Sequence, residues 1–234
     1  MSRTVKAMAV VAERRPSLVD DAYAAMKEAI RESTFVPGYQ ASEQEIALRL
    51  GMSRTPVHEA SIRLQEEGLV RIVPKRGIVI CALAPDDLRE IYDVVIAIEA
   101  SAAELVAKLP EAERSGVADE LAAATARMAE AHAAGRLPDW GKADEAFHRL
   151  LVERCGNRRI SRIIQTVNDQ SHRARMLTLK LRKQLPASIA DHQAIIEAIR
   201  RGDAAGAHAA ARQHRSRARD ELLPLLEDFG LKHL

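Results

Sequence analysis

The chain has 234 residues, of which 47% are hydrophobic and 29% charged, with a net charge of +2; this is the balance of a globular protein and excludes a chain that is polycationic throughout. Its longest apolar runs, such as 94–98, fall far short of the ~20 residues of a membrane span, and the apolar patch behind Arg3 and Lys6 is shorter than a signal-peptide core of ~7–15 residues. Cys81 and Cys155 stand far apart and offer neither a disulfide framework nor a paired metal motif, so the expectation is a reduced, cytoplasmic protein without a membrane partner.

Residues 1–16 carry no sustained period and end in Arg14-Arg15-Pro16, which reads as a flexible arm. From Ser17 a helix begins, with Leu18, Ala22, Ala25, Met26, Ala29 and Ile30 at helical spacing. Pro37-Gly38 breaks the chain. Ser42 stands three residues before Glu45, the spacing of a capping box, and the short helix it opens stops at Leu50-Gly51. Ser53 is placed to cap a third helix whose inward face is Val57, Ala60, Leu64 and Ile62, with Gly68 at its end. Two β-rich runs, 69–73 and 78–81, flank the turn Pro74-Lys75-Arg76-Gly77 and read as a hairpin. Helix, helix-turn-helix and hairpin together make a winged helix over residues 17–82. Within it Arg49, Arg54, Arg63, Arg71, Lys75 and Arg76 outnumber Glu59, Glu66 and Glu67, a local positive excess that suits a surface meeting phosphate.

Ala82–Pro85 reads as a linker. Beyond it six helices follow, capped by Asp86 or Asp87, then spanning about 115–134, 139–155, 157–185, 186–201 and 203–223, with Pro110, Gly135, Gly156, Pro186 and Gly202 as punctuation. With aromatics at 3%, alanine, leucine, isoleucine and valine must build the core. The expected fold is mostly α: a winged helix-turn-helix followed by an all-α antiparallel bundle over 86–234. In that bundle Asp144 and His148 share a helix face, and His192 and His214 lie on two later helices. One carboxylate and three imidazoles can converge on a metal ion inside a bundle or equally sit there as four buried, hydrogen-bonded side chains; spacing does not choose.

The run Leu50-Gly51-Met52-Ser53-Arg54-Thr55-Pro56-Val57, continued by Glu59-Ala60, Leu64 and Glu67-Gly68-Leu69-Val70, resembles the GntR superfamily of bacterial transcription regulators. Pro37-Gly38 and Pro74-x-Arg76-Gly77 fit the same pattern, and the remainder is similar to the all-helical FCD effector domain of the FadR-type branch. The resemblance implies a homodimeric DNA-binding regulator, most often a repressor, whose grip on a palindromic operator responds to a small metabolite. In a helix-turn-helix the first residues of the second helix reach base edges. The DNA-facing set is therefore Gln44, Arg49, Ser53, Arg54, Thr55, Pro56 and His58, with Lys75 and Arg76 at the hairpin tip and Gly77 permitting close approach. His58 and Gln44 stand where the family often has arginine, which implies different base preferences.

For the second domain the resemblance implies a metal site: Asp144-x-x-x-His148, Cys155-Gly156-Asn157, Asp191-His192 and Gln213-His214 are similar to the FCD pattern, with Asp144, His148, His192 and His214 as ligands. Such a donor set suits zinc, nickel, manganese or iron, and an organic-acid effector would fill the open positions. The arginine that commonly precedes the Ile-Glu pair is absent, Val95 standing there before Ile98-Glu99, so Asn168, Arg173 and Arg175 are the candidate effector contacts. Cys155 reads as core, and His132, His172, His208 and His233 as surface residues or partners of the ligands. Two alternatives remain at this stage, a metal sensor without an organic effector and a metal-dependent hydrolase; the latter lacks an evident general base.

Overall fold

The computed structural model describes residues 17–182 and 185–228; the expected arm at 1–16 and His233 lie outside them. The first helix, α1 (Leu18–Arg31), opens on Ser17, whose hydroxyl accepts the Asp20 N–H while the Asp20 carboxylate accepts back from Ser17. α2 (Glu43–Leu50) opens on the same reciprocal device between Ser42 and Glu45 and ends on Gly51 at φ +67°, a left-handed conformation that glycine adopts without steric cost. α3 (Arg54–Glu66) follows Ser53, whose side chain makes no capping bond, so that expectation fails. Ile62 also departs from its expected inward place and is 42% exposed, because Val57, Ala60, Ser61 and Leu64 already fill the face toward α1.

A short strand that no periodicity announces, β1 (Gln40–Ala41), pairs with β3 (Gly77–Ile80), which pairs with β2 (Val70–Val73). Both pairings are antiparallel, with Val70 opposite Ile80 and Ala41 opposite Ile78. Met26, Ile30, Phe35, Ile46, Leu64, Leu69, Ile78 and Ile80 form the buried core of this part.

Leu83 and Ala84, expected in a linker, are buried, Leu83 in the core of the helical bundle. Pro85 opens α4 (Pro85–Ala107), where its missing N–H costs nothing, and Asp87 serves from within the first turn by accepting the Ala84 N–H at 3.0 Å. α5 (Glu111–Ala133), α6 (Leu137–Glu153), α7 (Arg158–Thr178), α8 (Leu185–Arg200) and α9 (Ala204–Asp228) complete the bundle. α4 and α9 pack along each other, as do α5 with α6 and α8 with α9. Their shared core is built from alanines, leucines, isoleucines and valines, with Tyr92 and Phe147 among them, and a smaller cluster surrounds Trp140. α7 stops seven residues before its expected end: a 3-10 turn at Leu179–Leu181 replaces the last α-helical turns and delivers Leu179 to the Trp140 cluster. None of the described helices is long and apolar enough to cross a membrane.

A candidate DNA-reading face and a candidate metal centre

On the winged helix, Gln44, Arg49, Ser53, Arg54, Thr55, His58, Lys75 and Arg76 are all exposed. A groove of about 390 Å³ brings Gln44, Arg54, Lys75 and Gly77 together between α2, α3 and the hairpin. Arg49 lies apart from that lining, its guanidinium 5.1 Å above the Tyr39 ring. Pro56 is buried and faces the core, which removes it from the reading face. Gly77 is a correction of a different kind. At φ +90°, a Cβ there would fall 2.3 Å from the Ala41 carbonyl oxygen, so its missing side chain serves the close approach of β1. Lys75 at the tip holds φ +63°, a strained value for a residue with a side chain, and Gln40 steadies the turn by donating to the Arg76 carbonyl at 2.9 Å. Sequence reasoning missed Glu43, whose carboxylate bonds both Arg54 and His58.

In the bundle, α6 supplies Asp144 and His148, α8 supplies His192 and α9 supplies His214, all four buried, with one ligand atom from each within 4.8 Å of the rest. The three Nε2 atoms form a near-equilateral triangle: 3.2 Å between His192 and His148, 3.3 Å between His192 and His214 and 3.3 Å between His214 and His148. The Asp144 Oδ1 lies 3.7 Å from His148 Nε2 and 3.8 Å from His192 Nε2.

The opposite edges of these rings decide what the inner edges carry. His148 Nδ1 lies 2.9 Å from Glu99 Oε2, and His214 Nδ1 lies 3.1 Å from Asp191 Oδ2. A ring nitrogen against a carboxylate carries the hydrogen, which leaves Nε2 with its lone pair. His192 is oriented by stacking on Phe147, ring centroids 3.7 Å apart and 5° from parallel. Burial holds the His192 and His214 imidazoles in the neutral form, His192 well below the usual range and His214 at about 4. Burial alone would raise Asp144, yet the neighbouring His148 and Arg175 side chains hold it well below an ordinary carboxylic acid. Neutral imidazoles aiming lone pairs at one point beside an ionised carboxylate repel one another unless a cation lies between them. Their spacing falls between the separations of about 3.0 and 3.4 Å that right-angled and tetrahedral nitrogens about 2.1 Å from an ion would have. The residues fit a divalent metal ion.

The surrounding charges were not legible in advance. Glu99 is buried and grips Arg215 through both oxygens, at 2.5 and 2.7 Å. Although burial opposes it, the Arg215 charge holds Glu99 below its usual range, and Glu99 holds Arg215 above its own. Val95, which stands where the resemblance expects an arginine, is buried in the core, and the cation beside Glu99 is Arg215 of α9. Asp191 is anchored from its other side by Arg217. Cys155 is buried in the bundle core.

A cavity of about 370 Å³ opens beside His148 and Arg175 and extends past Asn168, Glu145 and Asp169 to Lys27 and Arg31 of α1. Of the three expected effector contacts it brings together Asn168 and Arg175. Arg175 lies 3.3 Å from Asp144 Oδ2, and the Asn168 Oδ1 is buried without a hydrogen bond. Arg173 points elsewhere and donates to the Cys81 carbonyl at 2.5 Å. His172 is also buried, between Glu32 and Glu145, while His132 and His208 stay partly exposed.

Residues 18–80 match the gntR family of bacterial regulatory proteins, and residues 90–217 match the FCD domain. An HTH-type transcriptional regulator of Agrobacterium vitis, from the TAR-I ttuE-ttuC′ intergenic region, is 54% identical over 134 residues, 57% of this chain and 78% of that one. The HTH-type transcriptional repressor RspR of Escherichia coli K12 is 25% identical over 193 residues, 82% of this chain and 83% of that one. The solved structure of E. coli McbR/YncC superposes with a TM-score of 0.77 at 17% identity, over 92% of this chain and 99% of that one, a likeness of fold. The chain belongs to the GntR family of bacterial transcriptional regulators and carries an FCD domain. It is a DNA-binding regulator and not an enzyme.

Proposed function

We propose that this regulator is a repressor of the FadR-type branch, acting as a homodimer on palindromic half-sites and released from its operator by a small carboxylate bound beside a metal ion. In this reading residues 17–82 bind DNA through Gln44, Arg49, Ser53, Arg54, Thr55, His58, Lys75 and Arg76, while 86–234 bind the effector and join the two copies. Asp144, His148, His192 and His214 would hold the ion, and a bound ion supplies an electrophilic position for a carboxylate oxygen. Asn168 and Arg175 then orient the effector, one by hydrogen bonding and the other by charge. The repressor sign rests on the printed role of RspR.

The observation that carries this proposal is the triangle of Nε2 atoms 3.2–3.3 Å apart, backed by Glu99 and Asp191, one corner of which, His148, also lines the cavity. A sensor of metal alone would have no use for a cavity lined by Asn168 and Arg175, which favours an organic effector. Effector and DNA then oppose each other by favouring different arrangements of the winged helices. Native mass spectrometry of untagged protein tests the site and the assembly together. The expected species has twice the chain mass and one metal ion per chain; a dimer still metal-free after zinc, nickel and manganese are added removes the ligand set, and a monomer removes the half-site model.

A further inference from the structure

Glu43 is the first residue of α2, yet it does not cap that helix, since Ser42 and Glu45 already do so. Its carboxylate instead crosses to α3, where Oε2 accepts from Arg54 Nε at 2.8 Å and Oε1 pairs with His58 Nδ1 at 2.6 Å. The Glu43 side chain is 14% exposed, whereas those of Arg54 and His58 are 67% and 51% exposed. One partly buried anion therefore holds two outward-facing side chains that lie one helical turn apart on the same face of α3. Burial would raise the Glu43 carboxyl, but its bonds to His58 and Arg54 keep it below the usual range.

We infer that Glu43 is the positioning residue for base recognition, fixing the direction of the Arg54 guanidinium and the tautomer of His58. With Nε engaged, the planar guanidinium is left to present its two terminal NH2 groups end-on, the geometry that pairs with guanine O6 and N7. With Nδ1 bearing the hydrogen toward Glu43, a neutral His58 presents Nε2 as an acceptor, and the amino groups of adenine or cytosine are its complements in the major groove. Glu43 also places a negative charge beneath a surface that approaches phosphate. It thus costs affinity in sequence-independent binding while adding affinity for the preferred sequence. This inference rests on α3 being the reading helix.

Those opposed effects separate positioning from a structural role. A preferred duplex is first selected from a randomised pool with the full-length wild-type protein, and a scrambled duplex of the same composition serves as the non-specific probe. Glu43→Gln is expected to bind the selected duplex about tenfold more weakly, as expected from losing part of one bidentate contact. It should bind the scrambled duplex about two- to threefold more tightly, because one repulsive charge is gone. Re-selection with the variant should relax the guanine preference at one position of each half-site. Equal losses on both duplexes, unchanged affinities, or re-selection of the same consensus would each overturn the inference. If wild type selects no sequence at all, the reading-helix assignment itself fails, an outcome distinct from a wild type that selects and a variant that behaves identically.

Discussion

Arg54 and Glu99 show how differently single residues declare themselves. Arg54 stands at the first position of α3, the proposed reading helix, and is 67% exposed, so Arg54→Ala should remove about 1–3 kcal/mol of base discrimination while leaving the assembly intact. Titration of the selected duplex alongside size-exclusion chromatography checks this, and unchanged discrimination would contradict the placement of α3 in the groove. Glu99→Gln removes the negative charge that His148 Nδ1 and Arg215 share and leaves Arg215 as an uncompensated buried charge. The expected cost is about 3–5 kcal/mol of stability, together with an about 10- to 100-fold loss of metal affinity. Thermal unfolding and competition with a chelator read the two separately. Asp144 and His148 were legible because a spacing of four puts both on one face of a helix. Glu99 was not, because its partners stand 49 and 116 positions away and meet it only through the crossings of α4 with α6 and α9.

Elements were legible where local chemistry decides them. The helix start at Ser17, the Ser42–Glu45 capping pair, the stop at Gly51 and the hairpin follow from neighbours in sequence. The two-residue β1 carries no period of its own and exists only because β3 offers it an edge. The 3-10 turn after α7 likewise reflects the space beside Trp140. Gly77 belongs to the same lesson: a glycine in a tip motif invites a DNA-facing reading, while its neighbour in space is the Ala41 carbonyl. Gly77→Ala should therefore push β1 from β3 and adopt a disfavoured backbone, costing about 1–3 kcal/mol. Chemical denaturation checks this, and a variant as stable as wild type would mean that the hairpin moves aside without penalty.

At the scale of the whole molecule, the winged helix and the bundle meet through charge. Lys27 reaches Asp169 at 2.6 Å and Glu67 at 2.9 Å, and Arg31 pairs with Asp169 and Glu145. Gln170 donates to the Glu67 carbonyl, and Arg173 donates to that of Cys81. Asp169→Asn removes the anion shared by both α1 cations. The expected result is faster amide exchange in α1, with metal content unchanged, measured by hydrogen exchange and elemental analysis. Exchange rates equal to wild type would assign the junction to the remaining contacts. Stripping the protein with a chelator should lower its melting temperature, since an ion at 100 times its dissociation constant contributes about 2.7 kcal/mol. An unchanged melting temperature would argue against a bound ion.

Asp144 and Glu145 are consecutive residues of α6, the first directed at the imidazole cluster and the second at Arg31 of α1. Any roll of that helix would re-aim both at once, in the manner of a rocker whose two arms cannot move independently. Traffic through such a part is reversible. By whatever factor an ion changes the regulator's hold on DNA, DNA changes its hold on the ion. If an ion occupies the cluster as proposed, a copy seated on its operator and a copy free in solution are two different competitors for the same scarce metal, and the number of operators in a cell becomes one of the quantities that sets how fully the protein is charged.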